Sequence, residues 1–103
     1  KDLAPGIGDP QEHDIPDELS LRNAYPNPFN PTTSISYTLP EASKVTLSVF
    51  DIKGRQVAEL VNGWRDMGVH EVTFDASHLA SGVYLYRLNA PNYSAVGKMV
   101  LMK

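Results

Sequence analysis

From Ile35 onward, apolar side chains recur at every second residue in short runs, and each run is cut off by turn-forming residues. Ile35, Tyr37 and Leu39 alternate with Ser34, Ser36 and Thr38, and Val45, Leu47 and Val49 alternate with Thr46, Ser48 and Phe50. A period of two sends successive side chains to opposite faces of an extended strand, so each run buries one face and wets the other. Pro40 to Ser43 breaks the first run, and Asp51-Ile52-Lys53-Gly54 closes the second with a turn whose glycine accepts a positive φ. Arg55 to Val61 follows with Val57 and Leu60 as its expected anchors, and Asn62-Gly63 reads as the next turn. Gly68 then opens a strand with His70, Val72 and Phe74 on one face and Val69, Glu71 and Thr73 on the other.

Val83 to Leu88 is apolar or aromatic on both faces, the pattern of a central strand packed on both sides. Tyr84 and Tyr86 share one face, Val83, Leu85 and Arg87 the other, and either can be the core. After the turn Asn89 to Asn92, the run Tyr93 to Met102 sets Ala95, Gly97, Met99 and Leu101 against Val96, Lys98, Val100 and Met102. With a short first strand at Leu21 to Ala24 the count is about seven, and no segment shows a sustained helical period. Short strands at this spacing predict an all-β, immunoglobulin-like antiparallel β-sandwich. The chain has no cysteine, which excludes a disulfide framework, thiolate zinc sites and thiol catalysis. Trp64 is expected at a surface or edge.

The 103 residues suffice for one domain with its own core. Charge divides them unevenly. Asp2, Asp9, Glu12, Asp14, Asp17 and Glu18 oppose Lys1 alone, so residues 1–20 carry −5 and the remainder +2 of a net −3. With Pro5, Gly6, Gly8, Pro10 and Pro16 and few large apolar groups, this segment is expected to be a disordered acidic linker, partly extended by self-repulsion. The domain proper is then 21–103. Asp9, Glu12 and Asp14 lack the spacing and turn glycine of a calcium loop. Nothing in the charge favours nucleic acid or an anionic membrane, and no run reaches transmembrane length. The N-terminus lacks a signal-peptide pattern, so an export signal of that kind would lie elsewhere in the parent protein.

Candidates for chemistry are few. His13, His70 and His78 fall in the linker, a strand and a loop, without metal-ligand spacing. His70 reads as a partly buried strand residue bonded to a nearby carbonyl. Asp75, Ser77 and His78 are the residue types of a hydrolytic triad, but three residues of one short loop cannot form the relay, and Asp75 and Ser77 read as turn formers. The glycines are dispersed rather than gathered into a phosphate loop. Tyr84, Tyr86 and Tyr93 would make a carbohydrate or single-stranded nucleic acid platform only if exposed together. No enzyme activity, cofactor, metal, nucleic acid or small-molecule substrate is expected.

Tyr25-Pro26-Asn27-Pro28-Phe29-Asn30-Pro31 marks where the linker ends. Its prolines fix φ and push the preceding residues out of the helical region. They are expected to stop further strand pairing, while Tyr25 and Phe29 pin the segment to the core. This block, continued by Thr32-Thr33, resembles the opening motif of the type IX secretion system C-terminal sorting domain (type A), found in the Bacteroidetes and related phyla. Val49-Phe50-Asp51-Ile52-Lys53-Gly54-Arg55 resembles that family's hairpin. Gly68-x-His70-x-Val72-x-Phe74-Asp75 and Ser81-Gly82-Val83-Tyr84-x-Tyr86-Arg87-Leu88 resemble two of its strands, with Phe74 where tryptophan is frequent. Lys98-Met99-Val100-Leu101-Met102-Lys103 resembles its terminal strand.

The resemblance implies a secretion signal that carries an upstream cargo from the periplasm across the outer membrane. It further implies removal of the domain by a surface sortase and attachment of the cargo at the cell surface. Its partners would be the secretion machinery, the sortase and the cargo. Tyr25, Pro26, Asn27, Pro28, Phe29, Asp51, Gly54, Gly68, Gly82 and Tyr84 would be the family's structural positions. Physical reasoning places recognition by the machinery at Lys98 to Lys103, where a strand edge with unpaired backbone groups flanked by lysines invites strand addition. The alternative is a structural or carbohydrate-binding module of an extracellular protein, similar to the immunoglobulin-like domain of flagellar hook-capping proteins. A final strand that coincides with the chain end favours the sorting domain.

Overall fold

A computed structural model describes residues 19–103, and the expected linker lies outside them apart from its last two residues. The strands are β1 (Ser20–Leu21), β2 (Thr32–Leu39), β3 (Ser43–Asp51), β4 (Gln56–Arg65), β5 (Gly68–Asp75), β6 (Gly82–Ala90) and β7 (Tyr93–Leu101). They form two antiparallel sheets, ordered β1-β2-β5 and β4-β3-β6-β7. This is the all-β sandwich that the alternation predicts. The inner faces carry Thr33, Ile35, Tyr37 and Leu39 from β2, Val45, Leu47 and Val49 from β3, Tyr84, Tyr86 and Leu88 from β6, and Met99 and Leu101 from β7, all buried. Each large apolar side chain so placed contributes about 1.5–3 kcal/mol relative to exposure, which is what holds the sheets face to face.

Three expectations change. β6 is central in its sheet but packed on one side only: Tyr84, Tyr86 and Leu88 face the core, while Val83 and Arg87 are exposed and Leu85 is half-buried. Asn62-Gly63 is not a turn, because β3 pairs straight through it, Thr46 with Asn62 and Val45 with Gly63, and the ladder overrides the local turn preference. The anchors of β4 also differ. Leu47 pairs with Val61 and Ser48 with Glu59, which strands Leu60, and Val49 pairs with Ala58 and Phe50 with Gln56, which strands Val57. The two expected anchors are therefore the extra residues of β-bulges, half-buried against the core, and Val61 is the buried one. Bulges of this kind twist an edge strand away from further pairing.

The Asp51 turn explains how β3 reaches β4. Asp51 Oδ1 accepts the N–H groups of Lys53 (2.9 Å) and Arg55 (3.0 Å), Oδ2 accepts Arg55 Nε (2.8 Å), and Gly54 takes φ 88°. The Arg55 backbone bond first, with its side chain and the Lys53 amide adding, holds the Asp51 carboxyl below the usual carboxylate range. At the other end of the sandwich, His70 Nε2 donates to the Asp66 carbonyl (2.7 Å) and its ring stacks on Tyr37 at 5.2 Å, a structural role as expected. Burial raises the Tyr37 phenol, with the Arg65 guanidinium working in the opposite direction.

Candidate functional site

β7 is the edge strand of the four-stranded sheet. Within Lys98 to Lys103, alternation buries Met99 and Leu101 in the core and leaves Lys98, Met102 and Lys103 exposed, with Val100 half-buried. The folded domain therefore presents four of these six side chains. The backbone edge is another matter, because the expected unpaired groups are already taken.

They are taken by the proline block. Tyr25 and Ser34 exchange backbone bonds at 3.0 Å, which holds the block to β2, and the Thr33 hydroxyl donates to the Pro26 carbonyl (2.8 Å). The chain then changes sheets. Asn27 Nδ2 donates to the Lys98 carbonyl (3.0 Å) and Asn27 Oδ1 accepts the Val100 N–H (2.9 Å). Phe29 N–H donates to the Val100 carbonyl and Met102 N–H to the Phe29 carbonyl, both 2.9 Å, making a parallel bridge between Phe29 and Leu101. The peptide bonds preceding Pro26, Pro28 and Pro31 are cis. Proline has no N–H to offer a ladder, and the Asn27 side-chain amide, with one donor and one acceptor face, stands in for a peptide group.

The prolines thus do not end strand pairing. Nor are both aromatics pinned. Phe29 is 2% exposed and packs against the Phe74 ring, centroids 6.3 Å apart, but Tyr25 is 81% exposed. Residues bridged across an antiparallel pair share a face, and Ser34 lies on the outer face of β2, so Tyr25 is turned to solvent.

Tyr86 locks this arrangement from inside. Its hydroxyl accepts the Ala24 N–H (2.9 Å) and donates to the Arg22 carbonyl (3.2 Å), joining β6 to the segment leading into the proline block. Burial raises the phenol, and the Ala24 bond opposes that. Gly97 sits opposite Tyr86 in β7, and a Cβ there would fall inside the van der Waals envelope of the Tyr86 ring. The tyrosine can cross β7 only because residue 97 has no side chain. Tyr84 bonds the Ala80 carbonyl four residues upstream (2.6 Å), which ties down the loop before β6. With Tyr84 and Tyr86 at 7% and 1% exposure, these two residues form no ligand platform.

Lys103 is held in place: its Nζ donates to the Ser77 carbonyl (2.7 Å) and its N–H to Ser81 Oγ (3.1 Å). Asp75 accepts the Ser77 N–H at 2.9 Å, a turn contact, and that bond, with the charges of His78 and Lys103 as lesser causes, lowers its carboxyl. Nothing in this loop orients His78 as a base. Among the described residues no group of three or more histidine or acidic side chains is placed to hold a metal. Gly68 begins β5 as the sequence suggests, while Gly82, expected in the connection, begins β6 one residue before the expected strand. Sequence reasoning missed the Asn27 amide and the Tyr86–Gly97 contact. A glycine inside a strand pattern is a signal of close approach, and it was available at Gly97.

The family model described as the secretion system C-terminal sorting domain matches residues 23–102. The sequence has no match among curated proteins. By structure, the chain is similar to PorZ, a bacterial surface component of the type IX secretion system of Porphyromonas gingivalis, at 20% identity and TM-score 0.55, covering 93% of this chain and 12% of that one. It is similar to dimeric latent PorU from Porphyromonas gingivalis at 21% identity and TM-score 0.63, covering 84% and 9%. CopC from Methylosinus trichosporium OB3b is similar at 21% identity and TM-score 0.50, covering 82% and 91%. The chain spans only about a tenth of the first two, and at these identities the likenesses concern the fold.

Proposed function

The chain belongs to the family of secretion system C-terminal sorting domains, sorting signals of type IX secretion, and from that premise we propose how this one delivers its cargo. The match over residues 23–102 is the observation that carries the reading. The domain directs its parent protein to the outer membrane or the extracellular space. Residues 1–20 act as an acidic spacer to a cargo domain upstream. The domain is engaged in the periplasm, crosses the outer membrane with its cargo, and is then removed by a surface sortase that attaches the cargo.

Recognition falls on the side chains of Lys98, Val100, Met102 and Lys103. The exposure of Lys98, Met102 and Lys103 and the partial exposure of Val100 support this, as does the occupation of the neighbouring backbone groups by Asn27 and Phe29. A reporter fused to this chain in a competent host tests it. Lys98→Glu with Lys103→Glu reverses the charge of the exposed surface while leaving Met99 and Leu101 in the core. We expect the folded double variant to leave the reporter in the periplasm. Export at the unmodified rate refutes the assignment. Deleting Val100 to Lys103 is a poorer test, because it also removes the buried Leu101 and the partners of Asn27 and Phe29.

A further inference from the structure

The edge of β7 is covered unevenly. From the Lys98 carbonyl to the Met102 N–H it is occupied by Asn27 and Phe29. Backbone groups alternate in direction along a strand, so Ser94 and Val96 point the same way as Val100, outward from β6. Neither residue's backbone has a hydrogen-bond partner on that side among the described residues, and both side chains are exposed, Val96 at 56%.

The other edges are treated differently. β4 carries two bulges, β1 is two residues long, and the exposed face of β5 carries Glu71. Edges left to solvent are ordinarily blunted by bulges, prolines or charged side chains, lysine above all; Tyr93 to Gly97 has none of these, and Lys98 bounds the stretch as its one charge. Its register with β6 is regular throughout, so it is straight enough to template another strand.

We propose that Ser94 to Lys98 is a strand-addition site for an extended segment of a partner protein. The incoming segment places an apolar side chain beside Val96 and a carboxylate beside Lys98, since these two outer-face residues lie two apart on β7. The free backbone groups of Ser94 and Val96 lie outside the Lys98–Lys103 surface, with which this site shares only Lys98, and the proposal does not depend on the sorting role. A second copy of this chain is the poorer occupant. Tyr93 to Lys103 contains no acid, so β7 pairing with itself offers Lys98 no counter-charge. Backbone bonds supply the affinity and the Val96–Lys98 face the selectivity.

The test uses the isotopically labelled chain and a short capped peptide with threonine on one face and alternating valine and glutamate on the other. We expect amide shifts on titration confined to Ser94, Val96, Lys98 and their outer-face neighbours on β6. Replacing each glutamate by lysine should weaken binding about fivefold, the sum of one attraction lost and one repulsion gained. Val96→Pro removes the outward N–H without touching a β6–β7 bond, and it should abolish the shifts while the remaining β7 amides keep their native positions. Val96→Lys provides a second block should the proline disturb the strand. No shift at these amides, shifts elsewhere, or unchanged binding by both folded variants overturns the proposal. The same shifts appearing on concentration without peptide would assign the edge to a second copy and overturn it too.

Discussion

Replacing Gly97 by alanine should damage this domain more than any other single methyl group added to β7. The new Cβ would overlap Cζ, Oη and Cε2 of Tyr86, a ring that is 1% exposed and fixed at its far end by Ala24 and Arg22. The ring must move, and its hydroxyl then leaves both partners. Overpacking of this kind costs about 1–3 kcal/mol. The two hydrogen bonds contribute about 1 kcal/mol each, and the Ala24 N–H is left buried. Alanine recovers about 0.5–1 kcal/mol of backbone entropy relative to glycine. The net loss is on the order of 3 kcal/mol, a large part of the roughly 5–10 kcal/mol available to a domain of this size.

Equilibrium urea unfolding reads this as a midpoint lowered by about 2 M with the slope unchanged. Tyr86→Phe, which removes only the hydroxyl, should cost about 1–2 kcal/mol. In a Tyr86→Leu background the Gly97→Ala change should lose at least about 1 kcal/mol of its effect, because the two residues are in contact. A Gly97→Ala variant within about 0.5 kcal/mol of the parent, or costs that simply add in the double variant, would refute the claim that the glycine exists for the tyrosine.

Two further outcomes follow from the same geometry. Asn27→Ala removes both side-chain bonds to β7 at an exposed position, so it should cost about 1 kcal/mol and speed hydrogen exchange at the Val100 amide about fivefold. The Met99 amide, directed at β6, should not change, and an unaltered Val100 rate would contradict the edge-cap role. At low pH, the lowered carboxyls of Asp51 and Asp75 mean that the unfolded chain binds protons more readily than the folded one. Their contribution is then complete above the ordinary value near about 3.9 and is lost as pH falls through the lower folded values. Asp51→Asn should flatten the acid limb of a thermal-unfolding profile, and a limb as steep as the parent's would count against the turn contacts as its source.

Strand identity was legible because it is local. Alternation at Ile35–Leu39, Val45–Val49 and Met99–Leu101 fixes which face is buried whatever the partner strand turns out to be. The motif blocks fixed the family for a similar reason, since short runs of fixed residue order can be read without coordinates. Edges, bulges and side-chain stand-ins were not legible, because each is set by a partner far away in the chain. Asn27 meets Lys98 and Val100 across 71 and 73 residues, and Ala24 meets Tyr86 across 62. An alternating run such as Val83 to Leu88 also cannot reveal which of two apolar faces a second sheet will cover. The chain by itself determined most of the strands, the Asp51 turn and the sorting-domain family, through periodicity and motif. Only the tertiary structure decided that the proline block caps the last strand, because that depends on two sheets bringing opposite ends of the domain within one hydrogen bond of each other.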